Sequence, residues 1–352
     1  MERTTDLFSK LEDELLCLIL SKLPIKEAVR SSRISKRWML LYTQIPKLTL
    51  SHDLVMGPVI PNTLSIARAE KIVANILLLH SCDLEAFELC NFPGRSFSCE
   101  SIWKWLRYVA SKNVKHLALR HAPRRETLPP TLFFCHRLAT LKLSNYIVSS
   151  IPPNFGGFNH LITCSFQRVK FRDDYFSRFI SHCPLLQNLD LYDYHGPREI
   201  IISAPNLTSL ILWIYNPLEI LTINCPKLES LKIKEICVKD LRVNGMLFEE
   251  LSYAVWGLEL QCQSNEIELW LDSSKEHAHN FWEERFQEIM GTFILKRLSV
   301  QNSRSLEVEK EINISIPNLL QTLPHLQSLL INGTFLLVRF SLIMILCVNC
   351  IW

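Results

Sequence analysis

The strongest constraint on this fold is a repeat of 21 residues in the middle of the chain. The pattern Leu-x-x-Leu-x-Leu, with Ile as an alternative last residue, begins at residues 186, 207 and 228, and a proline lies two residues before each copy. Looser copies begin at residues 84, 114, 138, 161, 248, 295 and 326. A unit this short cannot bury its apolar side chains alone, so its neighbours must stack on it.

This pattern resembles the leucine-rich repeat, whose units are about 20–29 residues long. In such units a short strand points its leucines into a shared core, and the stacked strands form a parallel sheet. The resemblance therefore implies a curved solenoid of the α/β class, with the sheet on its concave side. We expect helices on the convex side at 65–80 and 101–111, where apolar residues recur at helical spacing. The β-branched segments 199–203 and 219–223 predict short convex strands instead.

The repeat is irregular over residues 254–294. Residues 267–271 predict one strand, and 275–290 predict an amphipathic helix with its charged side chains largely solvated. This stretch is either a variant pair of repeats or a lid over the solenoid, and the pattern does not distinguish the two.

The first forty residues carry a second, independent pattern. Helical spacing places five apolar side chains on one broad stripe: Leu15, Leu16, Ile19, Leu20 and Leu23. Pro24 is expected to end that helix, a second helical stretch begins at Lys26, and a third begins near Ser35, a suitable N-cap. Three helices this short bury little surface by themselves, which favours a binding partner.

Residues 6–42 resemble an F-box in the order and spacing of these positions. The resemblance implies docking on a Skp-family linker protein and, through it, on a cullin. The residues implied in linker binding are Leu11, Leu15, Leu16, Ile19, Leu20, Leu23, Pro24, Val29, Ile34 and Trp38. One position departs from the family: Glu12 follows Leu11 where Leu-Pro is usual, and without the proline we expect a looser docking edge. The alternative is an ordinary helical hairpin whose apolar stripe packs on the rest of the chain.

A second binding surface is predicted on the concave sheet. Side chains alternate along a strand, so the residues between the inward leucines point away from the core. Aromatic and apolar side chains there, rimmed by charges, have the composition of a protein-binding hot spot. The predicted target-binding residues are Arg120, Asp190, Tyr192, Ile211, Trp213, Lys232 and Lys234. The alternative is that a loop or the C-terminal tail covers Trp213.

Composition and motifs argue against several other functions. The net charge of +3 is small and the basic residues are scattered, so nucleic acid is not an expected partner. The chain has nine glycines and none of the glycine-rich phosphate-binding or nucleophile-elbow motifs, which argues against an enzyme. Cys347 and Cys350 form one lone CxxC pair, and the twelve cysteines otherwise lack the paired spacing of a zinc site, so neither a metal nor a cofactor is predicted.

The two ends of the chain bear on its location. The N-terminus is polar and lacks a signal peptide, which favours reduced cysteines and a cytoplasmic or nuclear protein. The tail 334–352 is apolar, but its uninterrupted part, 340–348, is far shorter than the roughly 20 residues of a spanning helix. Membrane attachment is therefore not expected, and a terminal strand or helix is the alternative for this tail.

Together these patterns predict an F-box at 1–45, a leucine-rich-repeat solenoid at 46–333 and an apolar tail at 334–352. The function implied is that of a non-catalytic substrate receptor: the F-box binds the linker of a Skp–cullin–F-box (SCF) ubiquitin ligase, and the repeats bind a target protein. The alternative is a repeat scaffold that binds proteins without joining a ligase. The identity of the target, and whether a small molecule bridges it to the receptor, are beyond the sequence.

Overall fold

The computed structural model describes residues 10–23, 25–31, 33–51, 62–90, 97–120, 125–214, 216–234, 238–244, 246–249, 255–261, 266–272, 294–301 and 328–332. The chain divides into two compact units, Met1–Leu186 and Gln187–Trp352.

The first unit opens with three short helices: α1 (Asp13–Lys22), α2 (Ile25–Ser31) and α3 (Lys36–Leu41). Helix α1 follows Glu12, whose backbone is extended, and ends before Leu23, which is extended as well. Helix α3 is capped by Ser35, whose hydroxyl accepts a hydrogen bond from the Trp38 amide at 3.4 Å. The three helices predicted from the sequence are thereby confirmed. A turn of 3-10 helix, Tyr42–Gln44, follows them.

Eight strands and three further helices follow in the described part of this unit. The strands are β1 (Lys47–Ser51), β2 (Ala86–Cys90), β3 (His116–Arg120), β4 (Glu126–Thr127), β5 (Thr140–Ser144), β6 (Tyr146–Val148), β7 (Thr163–Gln167) and β8 (Lys170–Phe171). The helices are α4 (Asn62–Leu79), α5 (Cys99–Ala110) and α6 (Tyr175–Ser181), with a 3-10 helix at Pro130–Phe134. Helices α4 and α5 confirm the two helices predicted for the early repeats.

The repeat leucines of this unit align across a parallel sheet. Strands β1, β2, β3, β5 and β7 pair in that order, and β4, β6 and β8 form a second, smaller parallel sheet. One buried row consists of Leu48, Phe87, Leu117, Leu141 and Cys164. The copies at 84, 114, 138 and 161 are therefore confirmed as strands of one sheet. Strand β1 was not predicted from the sequence, although Ile45, Leu48 and Leu50 have the same spacing.

The described residues of the second unit form eleven strands: β9 (Asn188–Tyr192), β10 (Glu199–Ser203), β11 (Ser209–Trp213), β12 (Leu218–Asn224), β13 (Ser230–Lys234), β14 (Val238–Val243), β15 (Met246–Glu249), β16 (Val255–Gln261), β17 (Glu266–Asp272), β18 (Ile294–Gln301) and β19 (Ser328–Asn332). The larger sheet runs β9-β11-β13-β16-β17-β18-β19, and the smaller one runs β10-β12-β14-β15. Strands β10 and β12 confirm the two short strands predicted opposite the repeat sheet.

The 21-residue repeat sets the register of β9, β11 and β13: residues 21 positions apart are aligned partners. Leu189, Leu210 and Leu231 are aligned partners, as are Leu191, Leu212 and Ile233, and all six are buried. Because each leucine stacks on its counterpart one unit away, the period of the sequence equals the spacing of paired strands. The predicted α/β architecture, helices of the F-box followed by a repeat solenoid, is confirmed.

The regular register ends after β13. Strand β15 turns back antiparallel on β14 in the smaller sheet, where Phe248 pairs with Leu241. Asn244 permits this tight turn, since its φ of 47° lies in the left-handed region that Asn tolerates. The strand of the copy predicted at residue 248 would fall on 250–254, outside the described residues. Strand β16 then pairs antiparallel with β13, and β17 confirms the strand predicted at 267–271. The predicted helix at 275–290 and the tail 334–352 lie outside the described residues.

Candidate interaction surfaces

Helix α1 presents an apolar surface to solvent. Leu15 and Ile19 are exposed to 48 and 38% and lie four residues apart on one side of the helix, and Leu23, the residue that follows the helix, is exposed to 42%. Leu18 is exposed beside them, a residue that the sequence analysis did not include. Exposed leucines on successive turns of a short helix form a ready binding surface for another protein.

Two residues of the predicted linker-binding set belong to the interior instead. Leu16 and Leu20 have no exposed surface, and they occupy the inward side of α1 in the three-helix core, together with Ala28 and Leu41. The prediction that they contact the linker is therefore corrected: a partner cannot reach them while the helices stay folded. The apolar stripe is wide enough to have two sides: Leu16 and Leu20 pack in the core, whereas Leu15 and Ile19 are exposed.

The remaining residues of that set are more varied. Ile34 is largely exposed, Leu11, Val29 and Trp38 are half-buried, and Pro24 lies outside the described residues. Met39 and Leu40 on α3 are also exposed, and neither was predicted from the sequence. Helical periodicity could have predicted their exposure. A helix as short as α3 can direct only one side inward, and Leu41 is its buried residue.

An arginine from α3 holds the start of α1. The Arg37 Nε donates to the Asp13 carboxylate at 2.7 Å, and its Nη2 lies 2.6 Å from the same oxygen. Nη2 also donates to the carbonyl of Leu11. Glu12, the N-cap residue, makes no side-chain capping bond. The first turn of α1 is thus joined to α3 rather than capped by its own residue.

The F-box helices are tied to the first repeats of the same unit by a set of hydrogen bonds. The Thr43 carbonyl accepts from the Ser81 amide at 2.9 Å, and the Pro46 carbonyl accepts from Glu85 at 2.7 Å. Between them, His80 Nε2 lies 3.0 Å from the carbonyl of Ile45. Since His80 is buried, this bond is shielded from water and joins the end of α4 to the end of the F-box.

Six of the seven predicted target-binding residues come together on β9, β11 and β13. The register aligns Asp190, Ile211 and Lys232 in one row, and Tyr192, Trp213 and Lys234 in the next. The seventh, Arg120, is exposed at the end of β3 in the first unit. Neighbours in each row are 21 residues apart in the sequence, so the repeat period alone predicts which residues lie side by side.

The aromatic pair gives this patch its shape. The rings of Tyr192 and Trp213 meet edge to face with centroids 6.2 Å apart, and both side chains are half-buried. Burial, with a smaller contribution from the charge of Asp190, raises the pKa of Tyr192, so its hydroxyl stays protonated. Asp190 and Ile211 are half-buried as well. We name these residues the β9–β13 patch: Asp190, Tyr192, Ile211, Trp213, Lys232 and Lys234.

Other chemistry is limited in the part of the chain that the structure describes. Within it, no three His, Cys, Asp or Glu side chains cluster as metal ligands, and its cysteines are free thiols. Burial raises the pKa of Cys135 and Cys183 to about 12, which leaves these thiols protonated and unreactive at neutral pH. Among the described helices, none combines the length and the apolar character that crossing a bilayer requires.

Two protein families match separate parts of the chain. The F-box domain family matches residues 8–41, and the family described as "FBD-associated F-box protein At5g56370, LRR repeats" matches residues 102–249. Neither match extends beyond residue 249.

Similar proteins come from Arabidopsis thaliana. FBD-associated F-box protein At5g38590 is 31% identical over 65% of this chain and 56% of its own length. F-box/FBD/LRR-repeat protein At5g56420 is 32% identical over 59% of this chain and 49% of its own length, and F-box/FBD/LRR-repeat protein At1g13570 is 28% identical over 60% and 50%. The chain thus spans about half the length of the curated relatives that it matches. It contains an F-box followed by leucine-rich repeats, and by these features it is a homologue of the Arabidopsis F-box/FBD/LRR-repeat proteins.

Proposed function

We propose that this chain is a substrate receptor of an SCF-type ubiquitin ligase, in which the F-box binds a Skp-family linker and the repeats bind a target protein. The observation that carries the proposal is the exposed apolar side of α1 within a matched F-box: Leu15, Ile19 and Leu23 are held outward by a core that Leu16 and Leu20 complete. An isolated protein gains nothing from such a surface, whereas a partner that covers it removes apolar area from water.

The chain itself would be non-catalytic. Its contribution is to hold a target near the transferring enzyme, which raises the effective concentration of the target without any new chemistry. The linker joins it to a cullin, the target is an unidentified protein, and the proposed location is the cytoplasm or the nucleus. Neither nucleic acid nor a membrane has a place in this proposal.

Co-purification with a Skp-family linker tests the F-box half of the proposal. We expect Leu15→Asp with Ile19→Asp to abolish linker binding, because two charges would be buried without partners at the contact. Circular dichroism should stay unchanged, since both side chains are exposed. Leu185→Asp is the matched control: Leu185 has nearly the same exposure, 46%, but lies outside the F-box, and this variant should bind normally.

Position 20 is unsuitable for this test. Leu20→Asp would place a charge in the core of the three helices and unfold them, so a loss of binding would have two explanations. If the Leu15 and Ile19 variant still binds the linker as the wild type does, the docking surface is wrong. If the wild type itself binds no linker, the alternative stands, and the chain is a repeat scaffold outside the ligase.

A further inference from the structure

Helix α1 begins without a cap of its own. The Glu12 side chain makes no hydrogen bond to the first-turn amides, and the first intrahelical bond runs from the Leu16 amide to the Glu12 carbonyl at 3.1 Å. The N-terminal turn of a helix has free amides, and without a cap it frays more easily, typically by about 1 kcal/mol. Leu15, one of the outward residues, lies in this turn.

Arg37 is placed to prevent such fraying. It reaches from the first turn of α3 to both sides of Glu12, with Nε and Nη2 on the Asp13 carboxylate and Nη2 on the Leu11 carbonyl. A guanidinium is suited to this because its donors lie in one rigid plane and can bond several acceptors at once. The Asp13 carboxylate, fixed in this way, also lies at the positive end of the helix dipole.

We propose that Arg37 is a positioning residue for linker binding: it fixes the first turn of α1 so that Leu15 is presented on the docking surface. This inference rests on the proposed function of the F-box and adds a residue that need not contact the linker through its own charge. Leu23 lies at the other end of α1, two turns away, so Arg37 has no means of positioning it.

The variant Arg37→Gln tests the proposal, because glutamine keeps much of the length but removes the charge and the planar set of donors. Its matched control is Arg30→Gln, since Arg30 forms an equally short surface pair with Glu27 at 2.7 Å, but within α2. With a purified Skp-family linker and the full chain, we expect Arg37→Gln to weaken binding about 3- to 10-fold, the range of one charge-assisted bond at a partly exposed site. Arg30→Gln should bind as the wild type does.

A double-mutant cycle separates positioning from a general structural role. In a Leu15→Ala background, most of the Arg37→Gln effect should disappear, because the side chain that Arg37 positions is gone. In a Leu23→Ala background, the full effect should remain. Equal effects in both backgrounds, or equal binding by Arg37→Gln and Arg30→Gln, would overturn the proposal.

A measurement without any linker keeps the inference separate from the proposed function. Amide hydrogen exchange at residues 16–19 should become faster in Arg37→Gln than in the wild type, while exchange in α2 stays the same. If exchange in α1 does not change, Arg37 does not hold the helix start, whatever the linker does. If exchange changes but the wild-type chain binds no linker, it is the proposed function that fails.

Discussion

At the scale of single residues, the backbone conformation at position 157 requires glycine. Its φ of +98° lies outside the range of ordinary L-residues, and a Cβ built there would be 2.6 Å from the carbonyl oxygen of His182. The same carbonyl accepts a hydrogen bond from the Phe158 amide at 2.9 Å, so it cannot move away without losing that bond. Gly157 therefore brings two segments of the first unit into close backbone contact.

Gly157→Ala should destabilise the first unit by about 1–3 kcal/mol, because it combines an unfavourable φ with a steric clash against backbone. The measurement is the midpoint of thermal unfolding by calorimetry. Gly156→Ala is a control one residue away, where a new Cβ meets nothing within 4 Å. We expect that control to melt at or near the wild-type temperature, and similar melting of the two variants would contradict the argument.

At the scale of secondary-structure elements, periodicity in the sequence was enough to predict individual helices and strands. It was not enough to predict features that depend on contacts between elements. Helix α5 and strand β11 were predictable, since spacing alone distinguishes a helical side from an alternating strand. The fold-back of β15 on β14 was not, because it depends on the turn at Asn244, which periodicity does not show. Likewise, periodicity placed Leu16 on the apolar stripe of α1, but it did not show which side of that stripe faces the core.

The contact between α4 and the F-box includes a buried histidine, His80. His80 Nε2 faces the Ile45 carbonyl, which can only accept, while Nδ1 lies 3.2 Å from the Tyr108 hydroxyl. Burial is the main cause that lowers the pKa of His80 below its usual 6.5, and nearby Lys112 lowers it further, although the bond to Ile45 opposes the shift. The Cys82 thiol, 3.5 Å from Nε2, is the other titratable group close to the ring.

The lowered pKa predicts a pH-dependent stability. Below about pH 6.5 the unfolded chain binds a proton at His80 more readily than the folded chain does, so stability falls as the pH decreases from there. His80→Gln should cost about 1–2 kcal/mol at pH 7.5 through the lost buried bonds, and the gap to the wild type should narrow towards pH 5. Melting temperatures across this pH range provide the check. His136→Gln, at an exposed position, should keep the wild-type profile, and a gap that stays constant for His80→Gln would refute the assignment.

At the scale of the whole molecule, the proposed function requires that linker binding and target binding be separable. The F-box residues lie in the first unit and the β9–β13 patch in the second, so a change in one surface should leave the other intact. This division was predictable from the sequence, because the F-box spacing and the 21-residue repeat occupy different parts of the chain. The burial of Tyr192 and Trp213 against each other was not, since it depends on the register of β9 and β11.

Trp213→Ala with Lys232→Glu should reduce target capture at least tenfold while sparing linker binding, because loss of a central aromatic and reversal of an adjacent charge typically each cost more than about 1 kcal/mol at a hot spot. The measurement is quantitative crosslinking of the full chain in plant cells with the proteasome inhibited, with the co-purified linker as an internal reference. Ile201→Ala is the control, since Ile201 is an exposed apolar residue on β10 in the smaller sheet. Proteins that the double variant loses and the control retains are targets read by the β9–β13 patch. If linker and crosslinked proteins are lost together, the double variant has misfolded, and if neither is lost, targets bind elsewhere on the repeats.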